Sequence, residues 1–284
     1  MTVWTPQRLS VSRGTLSTEA ERVAYWRGWL DRVQRPTERA MARAWAPMLR
    51  AAAQRAADRV GAVLGKAVLR SGPLAVCRSA TEGEIEDITA LDAEIAAMTA
   101  EFNPVIVSRA VRLAYLRAVR QLGRRIEFDP LTDPATQIIG DMVANVGTAT
   151  KSRVADVVRT GLARGDTVHD IQRALVSDPG FTPARALRIA RTETARTISE
   201  GTLSGYTAAA DAGVRFELEW VTARDGAVRE SHQSLDRQQT DVGGSFVIEG
   251  GDDVGASATG PGLFGIARQD INCRCATNPV NIQG

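Results

Sequence analysis

Two of the three cysteines and one of the two histidines fall into one short constellation. Cys273 and Cys275 sit in Asn272-Cys273-Arg274-Cys275, about 40 residues after Ser231-His232. Two thiolates and an imidazole suit zinc, which takes four ligands in a structural site. Asp225 or Asp236 would supply the fourth, and Asp225 completes the candidate set. A small, loop-rich module gains most from a metal because its apolar core is limited. The C-x-C spacing is shorter than the usual C-x-x-C. Two small buried cysteines, or a pair able to form a strained disulfide, are the competing readings. Cys273, His232 and Asp236 would also be the parts of a thiol nucleophile site, but no recognisable oxyanion loop accompanies them.

A second group lies upstream, in Arg191-Thr192-Glu193-Thr194-Ala195-Arg196. Glu193 with Arg196 is an i,i+3 pair, and Arg196 with Glu200 is i,i+4. A solvated, salt-bridged helix explains this spacing at tenths of a kcal/mol per pair (roughly 0.3–0.5 each). The alternative is that Arg191 and Glu193 reach the C-terminal module and fix it through Asp225 or Asp236. His169 reads as a surface or capping residue and Cys77 as a small buried one. There is no P-loop, dinucleotide-binding glycine pattern or H-E-x-x-H motif.

The elements that must position these residues are mostly helical. Val23, Trp26, Leu30 and Val33 recur at helical spacing after a Ser17-Thr18-Glu19 start, and residues 1–17 read as an irregular arm. Met41, Trp45, Met48, Ala52, Ala56 and Val60 continue the stripe, with a kink or break expected at Pro47. Ser71-Gly72-Pro73 marks a turn. Helices are expected over 81–101, from Asn103-Pro104 to about Leu122, over 134–146, over 148–163, from Thr167 to Ser177, and from Thr182-Pro183 to Gly213. Asp129-Pro130 and Asp133-Pro134 mark a hinge. At Val214 the period changes: Val214, Phe216, Leu218 and Trp220 alternate with polar residues, as in a half-buried strand. The expected fold is α+β, an elongated and mostly helical N-terminal body with a small β-rich C-terminal module. Its parts are an Arg-rich helical region (1–130), a second helical part (131–213) and the β-rich Cys/His module (214–284).

Composition bounds the rest. With 44% apolar and 24% charged residues the chain is globular, and no apolar run is long enough to span a bilayer. No secretion signal is evident, and three cysteines do not make a disulfide framework, so a cytosolic folding compartment is the default. The net charge of +2 hides blocks: residues 1–70 carry 13 Lys/Arg against 5 Asp/Glu, and residues 214–284 carry 6 against 10. Such blocks favour docking on charged partners, although solvated helix faces are the plainer explanation. Four of five tryptophans lie within the first 45 residues. They read either as core or as docking anchors, with Trp26, Trp29 and Trp45 beside Arg27 and Arg43 as the expected docking element.

The order of these parts resembles the Mu F-like family of phage minor head proteins, also called head morphogenesis proteins. Arg191-Thr192-Glu193, Trp220, Asp225, Val228-Arg229, Ser231-His232, Leu235-Asp236 and Asn272-Cys273-Arg274-Cys275 carry the likeness, across roughly residues 150–280. Arg191, Glu193, Arg196, Trp220, Asp236 and Asn272 are its structural positions. Members often have a Pro-Pro-x-His stretch before N-C-R-C, where this chain has Ala267-Arg268-Gln269-Asp270-Ile271. The resemblance implies a non-enzymatic, low-copy protein of the head interior, made in the host cytoplasm. It would associate with the portal and support assembly, DNA packaging or DNA release. The major capsid or scaffold protein and genomic DNA, through its phosphates, are further implied partners; no membrane is. Some relatives fuse this module to toxin domains, and none is expected after Gly284. A metal- or thiol-dependent hydrolase and a sequence-independent DNA-binding protein are the alternatives. Removal of residues 1–70 is expected to abolish incorporation into heads while leaving 150–284 able to fold.

Overall fold

The computed structural model describes residues 18–71, 80–128 and 134–283. The expected arm at 1–17, the turn at 72–73, Cys77 and the hinge residues 129–133 lie outside them.

Thr18 opens α1 (Glu19–Trp29) with a capping box, its hydroxyl accepting the Glu21 amide while Glu21 accepts the Thr18 amide. A π-helical turn, Leu30–Gln34, then leads into α2 (Arg35–Ser71). Pro36 lacks an N–H and would leave an α-helical carbonyl one turn back without its donor. The wider turn just before it absorbs that defect, so Pro36 does not end the helix. Pro47 does not end it either; of the kink or break expected there, the break does not occur, since α2 continues through it.

The expected helix over 81–101 is two. Thr81 caps α3 (Glu82–Thr89), and the chain turns at Ala90 and Leu91 before α4 (Asp92–Gln121). The turn lets both Ile88 and Leu91 point into the core, where they are fully buried. Pro104 therefore lies inside α4 rather than at its start. The two helices expected between 134 and 163 are one, α5 (Ala135–Arg164), because Gly147 is tolerated mid-helix against Ile95. α6 (Val168–Ser177), capped by Thr167, and α7 (Pro183–Asp211), with proline at its first position, follow as expected.

α7 is the central helix and packs on both α2 and α4. Its approach to α4 is set by Gly201 and Gly205, one turn apart. A Cβ on Gly201 would stand 2.6 Å from the Val111 carbonyl oxygen, and one on Gly205 2.7 Å from that of Tyr115. Only glycine lets the two backbones come this close.

Every strand among the described residues follows α7. β1 (Arg215–Val221) is the middle of an antiparallel sheet, flanked by β2 (Gln239–Asp241) and β5 (Ala276–Gln283). β3 (Phe246–Val247) and β4 (Ser257–Ala258) form a separate pair. Two four-residue helices, α8 (Glu230–Gln233) and α9 (Ala267–Asp270), complete the module. Leu218, Trp220, Leu235, Phe246 and Ile248 form its core, continuous with Ala118 and Tyr206 of the helical body. The fold is α+β, a helical body carrying a small β module. Packing crosses the expected part boundaries at 130 and 213: α4 lies on α7, and α1 lies against the β module.

The three tryptophans expected to anchor a partner are in the chain's own interior. Trp26, Trp29 and Trp45 are 2%, 4% and 1% exposed. Arg117 on α4, itself buried, lies 5.5 Å from the Trp26 ring and 5.1 Å from that of Trp29, and donates to the Asn278 amide oxygen at 3.0 Å. Burial of these indoles against their own chain removes them from the docking set. Arg27 and Arg43 remain exposed.

Candidate functional site

His232, Cys273 and Cys275 converge in the β module. α8 presents His232; the turn after α9 presents Cys273, and Cys275 immediately precedes β5. The ligand atoms all lie within 4.8 Å of one another, and all three side chains are buried. The Nδ1 of His232 is 3.4 Å from the Cys275 sulfur and 3.8 Å from that of Cys273. Both cysteines are free thiols. Cys273 is the thiol that ionises first: the Cys275 thiol donates to it and His232 adjoins it, which lowers its pKa well below the ordinary value. The same contact raises that of Cys275.

Aromatic rings enclose the imidazole. Trp220 meets His232 edge-on at 5.9 Å and Phe264 stacks on it at 6.1 Å. Asn272 adopts a left-handed backbone conformation, φ 58°, two residues after the end of α9. Asparagine tolerates that conformation better than most residues, and the reversal turns Cys273 inward.

Asp225 is not part of this cluster. It is exposed and receives both terminal nitrogens of Arg274, each at 2.7 Å, which holds its carboxyl below the ordinary range. The arginine between the two cysteines thus withdraws the expected fourth ligand to the surface. Asp236 is engaged in holding the chain after β1. It accepts from the Thr222 amide at 2.9 Å and hydroxyl at 3.0 Å, and lies 3.0 Å from Arg224. No fourth His, Cys, Asp or Glu joins the three among the described residues.

The expected reach of Arg191 and Glu193 to Asp225 or Asp236 does not occur, since Arg274 and Arg224 already occupy those acids. Arg191 instead lies 3.8 Å from Glu38 of α2, and Arg196 donates to Asp141 of α5 at 2.8 Å. Glu193 is buried, one of its oxygens has no hydrogen-bond partner, and burial pushes its pKa up to about 7. Thr192 of this motif does touch the module: its hydroxyl accepts the Asn272 amide at 3.2 Å.

Three supports had no signal in the sequence. The Trp26 indole N–H donates to the Arg274 carbonyl at 3.2 Å. Arg22 forms a forked pair with buried Glu219 of β1, at 3.0 and 3.4 Å. Arg229 donates to the Ile271 carbonyl and holds the turn before Asn272. Their partners lie 248, 197 and 42 residues away, beyond any local pattern.

The site is thus a buried C-x-C/His cluster in a small antiparallel module, carried on a central helix that packs on α2 and α4. Residues 152–278 match the family described as "Phage Mu protein F like protein", so this part of the chain is similar to that family. It is also similar to the NAD(+)--arginine ADP-ribosyltransferase EFV of Enterococcus faecalis (strain ATCC 700802 / V583), with 39% identity over 127 residues. That likeness covers 45% of this chain and 25% of the relative, so the chain spans only about a quarter of it. No solved structure matches the chain.

Proposed function

We propose that this protein is a minor, non-enzymatic component of a phage head that associates with the portal and supports head assembly, DNA packaging or DNA release. The observation that carries this reading is the Mu F-like match over residues 152–278. The charge distribution supports it. Arg32, Arg43 and Arg109 rim a groove of about 350 Å³ between α2 and α4, beside Val105, which is 76% exposed. A basic rim around an apolar spot suits docking on an acidic protein surface, which raises encounter rate and fixes orientation. With the indoles buried, Arg43 and its neighbours become the docking element. No described helix is long and apolar enough to cross a membrane.

The test is mass spectrometry of purified procapsids and virions, with co-purification of this chain and the portal protein of the same phage. Low-copy presence in heads and retention on the portal are expected. Absence from both particles would overturn the reading. The name of the Enterococcus relative motivates a second measurement, transfer of labelled ADP-ribose from NAD to arginine. No transfer is expected from a chain that matches only a quarter of that enzyme.

A further inference from the structure

We propose that His232, Cys273 and Cys275 bind one zinc ion, which ties α8 to the segment entering β5. Zinc bonds of about 2.3 Å to sulfur and about 2.0 Å to nitrogen at tetrahedral angles place neighbouring nitrogen and sulfur ligands roughly 3.5–3.6 Å apart. The two imidazole-to-thiol distances, 3.4 and 3.8 Å, bracket that edge. Two of the three edges of a tetrahedral face are therefore in place, and all three donor atoms lie within 4.8 Å of one another.

Hydrogen bonding alone satisfies this cluster poorly. One Nδ1 lone pair faces two thiols, so only one S–H can donate to it, and sulfur is a weak donor and acceptor. A divalent cation engages all three atoms at once, and two thiolates cancel its charge in a buried site. Trp220 and Phe264 lie against the imidazole. Soft sulfur ligands with an imidazole select zinc over magnesium or calcium. The surroundings also give the ion a structural role. The module is built of strands of two and three residues, two four-residue helices, and only β1 and β5 of ordinary length. A cross-link from residue 232 to 273 and 275 closes the stretch that holds its shortest strands, β2, β3 and β4. With Asp225 held by Arg274, the fourth position falls to a water or another non-carboxylate donor.

The experiment uses the full chain, purified under reducing conditions from zinc-supplemented cells and dialysed against metal-free buffer. Elemental analysis is expected to give about one zinc per chain, falling at least tenfold in Cys273→Ser/Cys275→Ser. Replacement of zinc by cobalt in the unmutated chain should produce sulfur-to-cobalt charge-transfer absorption, and a strong chelator should lower Tm. The cobalt and chelator measurements need no variant, so they hold even if the double variant misfolds. Zinc well below stoichiometric, zinc retained by a folded double variant, or cobalt bound without the charge-transfer band would each overturn the proposal. Absence of the protein from phage heads would leave it untouched, since it rests on these three side chains and not on the head assignment.

Discussion

Thr192 and Asn272 are 80 residues apart in sequence, and the Asn272 amide donates to the Thr192 hydroxyl at 3.2 Å. The bond joins the central helix to the turn that delivers Cys273. It explains why an R-T-E helix and an N-C-R-C segment belong to one site although no charged pair connects them.

The left-handed backbone at Asn272 gives a first prediction. Asn272→Gly should change stability little, while Asn272→Val should cost roughly 1–2 kcal/mol, because a β-branched residue is strained at positive φ. The side chain is exposed, so lost packing does not confuse the comparison. Urea denaturation of the two variants checks it; equal midpoints would contradict it.

Helix contact gives a second. Gly201→Ala and Gly205→Ala each drive a Cβ into an α4 carbonyl and should destabilise by about 1–3 kcal/mol. Gly140 in α5 is exposed with open space around it, so Gly140→Ala should stabilise by up to about 1 kcal/mol. Thermal unfolding of the three variants distinguishes backbone crowding from helix propensity, since propensity alone predicts stabilisation in all.

Glu193 makes a third prediction, in pH. Its carboxyl has a pKa of about 7 in the fold against an ordinary value of 4.5. The folded chain therefore holds this proton more tightly than the unfolded one. Its contribution is intact below pH 4.5, declines as pH rises, and levels off above about 7, a loss of at most about 3 kcal/mol. Glu193→Gln removes the titration. The stability difference between the two proteins should widen in favour of the glutamine form across that window; a difference independent of pH would show an ordinary carboxylate.

Arg22 and Glu219 give a fourth. Arg22→Ala leaves a carboxylate that is 4% exposed without its cation and should cost on the order of 3 kcal/mol. Adding Glu219→Gln should recover much of that, which a double-mutant cycle reads directly. The same contact, with Trp26 on the Arg274 carbonyl, revises the truncation expectation. A fragment of residues 150–284 loses the helices that cover α7 and the sheet, and its circular dichroism melt should lack the cooperative transition of the whole chain.

Local physics determined much of this protein. Caps at Thr18, Thr81 and Thr167, proline at the start of α7, and the change of period at Val214 are short-range signals, and they set the starts of α1, α3, α6 and α7 and the entry to the β module. The rarity of cysteine and histidine made His232, Cys273 and Cys275 conspicuous before their distances were known. Helix continuity was harder: prolines 36, 47 and 104 signal breaks, yet a π-helical turn precedes Pro36, and α2 and α4, which both pack on α7, run on through Pro47 and Pro104. Charge pairing was not legible at all. Arg274, Arg224 and Arg22 each had many acids within sequence reach, and only the three-dimensional path decided which they met. The tryptophans show the same division: composition can identify a side chain with a large area to bury, but whether its own chain or a partner covers it depends on long-range packing. Here α1 folds back over α4 and β5, and the indoles are covered from within.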